Sequence, residues 1–341
     1  MAAGDGIGSA EHLAGRRLPV VVDAMGGDRA PREIVAGARR AADELGVEVT
    51  LVGPPDQVGD TEGLALWPCA EVIDMHEDPG RAVRTKKDSS LVRAAEAVRD
   101  GRACAMVSAG NTGATMASAL LRMGRVRGIA RPAIATPIPR PGVAPSLLLD
   151  SGANAVCTPA MLVQFARMGA ACATARYGTE HPSVALLSIG EEPGKGTPLV
   201  KETAELLADV PGLRFLGNVE GRDLLGGPAD VVVTDGFTGN VVLKALEGSL
   251  RFMLDAVLGV FATDEATRRA GDVLLPFLAP LAAELDPDNT GGAVLLGVDG
   301  VCVISHGSSS AQAIVSAVRV ALDAVDSGLV SRVRELAATD R

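Results

Sequence analysis

Aromatic side chains are nearly missing from this chain, which has one Trp, one Tyr and six Phe in 341 residues. With a net charge of -10 as well, nucleic-acid binding lacks both its electrostatic footprint and its stacking platforms. Cysteine is sparse and scattered. Cys69, Cys104, Cys157, Cys172 and Cys302 show no C-x-x-C spacing, which argues against a zinc site or a disulfide framework and leaves buried, reduced thiols. No apolar run approaches the roughly 18 residues that a membrane-spanning helix needs. The opening MAAGDGIGSAEHLAGRRLP has no apolar h-region, so 1–17 reads as a disordered leader and the chain as a soluble, cytoplasmic protein.

Lysine is scarce too. Lys86, Lys87, Lys195, Lys201 and Lys244 are the only lysines among 32 basic residues, and each lies in or beside a polar loop. A compact ammonium approaches a phosphate or an oxyanion where a guanidinium fork does not fit; chance placement explains the five equally well unless the loops converge. No G-x-G-x-x-G follows the first strand, and Gly190, Gly194, Lys195, Gly196, Thr197 are out of order for a G-x-x-x-x-G-K-[ST] loop. No G-x-S-x-G elbow, Ser-x-x-Lys motif or Cys–His arrangement is present, so covalent catalysis has little support.

What is present is a repeated junction. Six apolar strands end in a short glycine-polar loop that leads to a helix: VVDAMGGD, MVSAGNTG, LLLDSGAN, LLSIGEEPGKG, VVVTDGFTGN and VISHGSSS. Alternating strands and helices predict an α/β fold with a largely parallel sheet and helices on both faces. Ligands in such sheets bind at the carboxyl ends of strands, so the six loops are expected to share one crevice. Further strands are expected at 48–53, 71–75 and 214–217, while 132–145 has too many prolines for a helix and reads as a connection or edge strand. Residues 18–335 form one unit or two lobes, with an apolar helical insertion at about 250–285. There Pro276 and Pro280 are expected to break VLLPFLAPL, which reads first as core and otherwise as an acyl-chain groove or an interfacial hairpin tip.

The junction DVVVTDGFTGNVVLK is the sharpest of the six. Gly236 and Gly239 let the backbone bend, and Thr238 and Asn240 stand where a helix begins, so N–H groups and short polar side chains suit an anion. Lys244 lies one turn beyond Asn240. Lys195, Asn111, Thr112 and Ser308 add donors from other junctions, and His306 either assists or makes a structural hydrogen bond. Arg84, Lys86 and Lys87 precede a helix capped by Asp88 or Ser89, a second place for an anion or else a solvated turn. Asp23, Asp28, Asp150, Glu191, Glu192 and Asp235 read as structural caps rather than metal ligands; neither a metal nor a cofactor is expected. Arg122, Arg125, Arg127 and Arg131 form either a docking patch for an acidic partner or a solvated loop.

The segments DAMGGDRAP, KKDSS, SAGNTGA, RPAIA, LLDSGAN, IGEEPGKG, FLGNVEGRD, VVTDGFTGNVVLK, GGAVLLG and HGSSS resemble, in order, the motifs of the bacterial acyl-acyl-carrier-protein:phosphate acyltransferases, the PlsX family. The resemblance runs from about Val20 to about Ala324. Ser188 stands where Asn is usual, Ser151 replaces a common apolar residue, and the leader is longer. The resemblance implies a fold similar to isocitrate and isopropylmalate dehydrogenases and phosphotransacetylases. It implies a homodimer that moves a fatty acyl group from acyl carrier protein to inorganic phosphate. The acyl-phosphate would feed a membrane glycerol-3-phosphate acyltransferase, with the protein held peripherally at the inner face of the cell membrane. The family's catalytic Lys and Asn fall on Lys195 and Asn240. A short-chain phosphotransacylase using coenzyme A, a decarboxylating dehydrogenase and a non-catalytic lipid-surface adaptor are the competing expectations.

Overall fold

The computed structural model describes residues 17–339; the expected leader lies, but for Arg17, outside them. In chain order the elements begin with β1 (Val20–Asp23), α1 (Arg32–Leu45), β2 (Val49–Gly53), α2 (Pro55–Val58), β3 (Ala65–Pro68), α3 (Pro79–Thr85), α4 (Ser90–Arg99), β4 (Ala105–Ser108) and α5 (Thr112–Arg122). The middle of the chain forms β5 (Ala133–Ile138), β6 (Ser146–Leu149), α6 (Pro159–Tyr177), β7 (Ser183–Ser188), α7 (Pro198–Ala208), β8 (Arg214–Glu220) and β9 (Val231–Val233). The last part forms α8 (Gly236–Phe261), α9 (Glu265–Leu285), α10 (Pro287–Thr290), β10 (Ala293–Leu296), β11 (Val301–Ile304), α11 (Ala311–Asp326) and α12 (Leu329–Thr339). Short polar residues start the helices as their chemistry dictates: Thr158, Thr197 and Ser310 each accept the backbone N–H three residues on.

One 11-stranded sheet has the order β3-β2-β1-β4-β11-β10-β5-β6-β9-β7-β8. Neighbours are parallel except for β11–β10, β10–β5 and β5–β6. Because of these antiparallel pairs, the strands form two parallel blocks running in opposite directions. The carboxyl ends of β1, β4 and β11 leave the sheet one way, and those of β6, β7 and β9 leave it the other. The six junctions are therefore two sets of three rather than one crevice.

The two faces of the sheet differ. On one, a single apolar cluster runs unbroken from Val20 and Val107 through Val303 and Ala135 to Val231 and Leu186, covered by α1, α6 and α11. On the other, one cluster sits beneath α4 and α5 and includes Ile134, Ala293 and Ile304. A separate one includes Ile138, Leu148, Val232 and Leu243 of α8.

Three local expectations are corrected. Residues 71–75 form no strand: the third strand is Ala65–Pro68, while Ile73 anchors its loop in the core and the Val72 carbonyl accepts Lys86 Nζ at 2.7 Å. Residues 133–138 form a central strand despite Pro137. Ile134 directs its N–H and its carbonyl toward the β6 side, so by alternation Pro137 faces the β10 side, beyond the last β10 partner Ala135. Helix α9 continues through Pro276 and Pro280, both exposed, so the carbonyls that their missing N–H groups leave unbonded can be reached by water.

The candidate active site

A cavity of about 190 Å³ opens where the second face's core is interrupted. Ile134, Thr136 and Ile138 of β5 form its floor and α8 forms a wall with Asn240, Leu243, Lys244, Leu246, Glu247 and Leu250; Thr112 and Ser305–Gly307 close the far rim. Helix α8 is what joins the two sets of junctions. It starts at the carboxyl end of β9 and runs back across the face, carrying Lys244 to His306 at the carboxyl end of β11.

The start of α8 is built for packing. Asp235 caps it, accepting from Thr238 N at 2.9 Å and from Thr238 Oγ1 at 2.8 Å, and Gly236 N donates to the Asn154 carbonyl at 2.8 Å. A side chain on Gly239 would fall on the Asp150 carbonyl oxygen, and one on Gly236 on Asn154 and Asp150. The donors expected at this turn to face an anion are thus occupied by Asp235, Asn154 and the β6 turn. Asp150 organises that turn: its carboxylate accepts from the N–H groups of Ile134, Gly152, Ala153 and Asn154 and from Asn154 Nδ2.

Asn240 stands one turn further on and faces the cavity, its Nδ2 donating to the Ser151 carbonyl at 3.2 Å. An amide NH₂ has two hydrogens, so one remains for a ligand. Lys244 Nζ donates to Glu247 Oε2 at 3.1 Å and lies 3.4 Å from His306 Nδ1, while His306 Nε2 lies 3.2 Å from Glu247 Oε1. Burial pushes the Glu247 carboxyl up. The hydrogen bond from His306, that residue's positive charge when protonated, and the Lys244 charge outweigh burial and hold the carboxyl below the ordinary carboxylate value. Lys244, Glu247 and His306 also line a polar cleft of about 330 Å³, shared with Arg29, Arg251, Asp286, Asp288 and Ser308.

Other expected residues lie elsewhere. Asn111 is consumed structurally: its Oδ1 accepts from Ala114 N at 3.0 Å, and its Nδ2 donates to the Met75 and Glu77 carbonyls. Lys86 is paired with Glu77, so the 84–87 turn offers no pair of free ammoniums to an anion, and Ser89 precedes α4 without a side-chain cap bond. Lys195 is exposed in the loop after β7, at the same strand-end edge as the start of α8, but it lines neither the cavity nor the cleft. Arg122 turns inward, 3.7 Å from Glu96, and the Arg125 guanidinium binds the Ala130 carbonyl. Arg125 also bridges to Val298 just past β10, so this patch, with Arg127 and Arg131 exposed beside it, lies at the opposite end of β10 and β11 from His306. The thiols are no nucleophiles: burial pushes Cys69, Cys157 and Cys172 up to about 11 and Cys302 to about 12.

A family model described as "Fatty acid synthesis protein" matches residues 18–332. The chain is 48% identical over 328 residues to a phosphate acyltransferase of Elusimicrobium minutum, covering 93% of this chain and 95% of that one. It is 46% identical to a phosphate acyltransferase of Heliobacterium modesticaldum, covering 93% and 97%. The chain belongs to this family. Its membership bears out the PlsX resemblance read from the motifs. Among solved structures, a phosphotransacetylase from Streptococcus pyogenes superposes with a TM-score of 0.62 at 18% identity, covering 93% of this chain and 96% of that one. A 4-hydroxythreonine-4-phosphate dehydrogenase from Klebsiella pneumoniae gives 0.54 at 11% identity, covering 91% and 99%. At those identities the likeness is one of fold: an α/β architecture shared with transacylases and a dehydrogenase.

Within the family frame, sequence reasoning found Thr112, Asn240, Lys244 and His306, which all reach the cavity, and Ser308, which reaches the cleft. It missed Glu247, although E at i+3 from Lys244 was a readable signal for an ion pair on one helix face. It also missed the apolar lining, since Leu225, Leu285 and Ile138 come from three distant segments.

Proposed function

We propose that the protein transfers a fatty acyl group from acyl-acyl carrier protein to inorganic phosphate, releasing acyl-phosphate for phospholipid synthesis. The observation that carries this reading is a cavity with an apolar side (Ile138, Leu225, Leu243, Leu246, Leu250, Leu285) and a polar end (Asn240, Lys244, His306). A separate polar cleft lies beyond the same Lys244–Glu247–His306 wall. The acyl chain takes the apolar side, and phosphate arrives through the cleft.

Phosphate is already a nucleophile. Its oxygen attacks the thioester carbonyl, the tetrahedral oxyanion collapses, and the C–S bond breaks to release thiolate, whose conjugate acid has a reference pKa of about 8.5. The protein then has to position phosphate and stabilise the oxyanion, which Asn240 Nδ2 and the Lys244 ammonium are placed to do. The family resemblance makes Lys195 the partner of Asn240. For Lys195 to hold phosphate, its loop must fold over the first turns of α8 from the edge that both share. The carrier protein, being acidic, docks beside the cleft at Arg29 and Arg251, closer to the cavity than the Arg125–Arg131 patch.

The same reading makes residues 18–335 one catalytic unit, kin to the isocitrate and isopropylmalate dehydrogenases, that works as a homodimer. It is held peripherally at the cell membrane by the α8–α9 hairpin. Phe252 and Phe277 are 74% and 78% exposed there, and Met253, Val260 and Val273 are exposed with them. No described helix is long and apolar enough to cross a membrane.

The test is to incubate purified protein with long-chain acyl-acyl carrier protein, and separately with acetyl-coenzyme A, each with and without phosphate, and to trap acyl-phosphate with hydroxylamine. Phosphate-dependent product from the carrier-bound donor is expected. Product from acetyl-coenzyme A alone would transfer the assignment to a short-chain phosphotransacylase, and no product from either donor would sink both.

A further inference from the structure

Glu247 stands one turn beyond Lys244 on α8, and its two oxygens take different partners: Oε2 accepts from Lys244 Nζ and Oε1 faces His306 Nε2. With His306 Nδ1 lying 3.4 Å from Lys244 Nζ, three side chains from two elements close a ring. The ring fixes where the protons sit. An ammonium has donors only, so the nitrogen beside it, Nδ1, presents a lone pair, and the nitrogen beside the carboxylate, Nε2, carries the hydrogen. Lys244 then has one N–H on Glu247, one on His306 and one left for a ligand in the cavity.

We infer that Glu247 is a positioning residue for the acyl transfer: its carboxylate locks the Lys244 ammonium and the Nε2–H form of His306 together in the wall that the cavity shares with the polar cleft. This rests on the acyl-transfer reading above. Without the carboxylate, the long and half-exposed Lys244 side chain is free to swing into the cleft, where Asp286 and Asp288 offer other acceptors. The charged groups facing the ring are Arg29 from the loop after β1, Arg251 one turn on along α8, and Asp286 and Asp288 from the segment ahead of β10; Ser308 adds a hydroxyl. Glu247 bonds both Lys244 and His306.

Glu247→Gln, equal in size and uncharged, is the test, read by steady-state kinetics and by ¹⁵N NMR of the imidazoles. The His306 signals are identified by their loss in His306→Asn. Removing the carboxylate is expected to lower kcat about tenfold with the KM for acyl donor within about twofold. The His306 signal changes from one Nε2–H form to a mixture of tautomers. Glu247→Asp, which keeps the charge, is expected to restore the single Nε2–H form. An unchanged His306 tautomer or an unchanged kcat in Glu247→Gln would overturn the inference, as would the same mixture of tautomers in Glu247→Asp. Absence of transferase activity in the parent protein would overturn the acyl-transfer reading, and the NMR signal would still decide whether Glu247 holds His306.

Discussion

Two ammonium groups compete for one role, and their surroundings distinguish them. Lys244 is held at the cavity mouth by Glu247, whereas Lys195 is exposed and outside the lining. Lys244→Ala is expected to raise the KM for phosphate about tenfold. Asn240→Ala, which removes an oxyanion donor, is expected to cut kcat by about 10²–10³. If its loop closes over α8, Lys195→Ala should approach the Asn240→Ala loss; turnover within a few-fold of the parent would leave Lys244 as the working cation. A buried carboxyl adds its own pH dependence to stability. Asp23 is buried, and desolvation raises its carboxyl above the ordinary value despite hydrogen bonds from Ser90, Ser108 and the Met25 N–H. The folded state therefore binds the proton more tightly than the unfolded one, so stability falls as pH rises from the ordinary carboxylate value toward the raised one. Asp23→Asn is expected to melt higher than the parent at pH 7, with the difference vanishing below about pH 4, where the acid is neutral in both states; thermal unfolding across pH measures it.

Among the elements, α8 decides most. Its first turn is pressed onto the β6 turn so closely that only glycine fits at 239, and its later turns carry the polar end of the site. Gly239→Ala must push the helix off the Asp150 carbonyl. A loss of about 1–3 kcal/mol is expected in urea unfolding, together with reduced kcat as Asn240 and Lys244 move away from Ser151 and His306. A loss of stability with full activity would mean that the helix start and the site are independent. Legibility varies in the same way along the elements. The strand and helix at 231–261 were readable from β-branched residues and an Asp cap, because those signals are local. That Gly236 and Gly239 make room for the β6 turn was not readable, because a glycine that admits a ligand and one that admits a neighbouring strand turn have the same sequence.

For the molecule as a whole, the unbroken core on one sheet face binds the two antisense blocks together, and the broken core on the other leaves the cavity. Beyond that core projects the α8–α9 hairpin. Every residue from 251 to 260 is exposed, and so many apolar side chains on a projecting hairpin need a lipid surface or another protein to cover them. Phe252→Glu combined with Phe277→Glu is expected to reduce binding to anionic lipid vesicles about tenfold or more in a flotation assay, while transfer from carrier protein in solution persists. Unaltered flotation would remove the hairpin from the membrane contact and leave a second copy of the chain as its cover.

The sequence by itself determined the α/β class, the strands with local β-branched runs, most helix starts and the family, because caps, turns and motifs are short-range and ordered along the chain. Only the tertiary structure decided where the junctions point. A strand reads the same in either direction, so the antiparallel insertion of β10, β5 and β6, which splits six loops into two sets, has no local signal. It was also tertiary contact that left most of residues 250–281 exposed rather than core, since apolar side chains do not record whether a neighbour covers them. The same holds for the Lys244–Glu247–His306 ring: 59 residues separate Glu247 from His306 in the chain, and the path of α8 across the sheet brings them together.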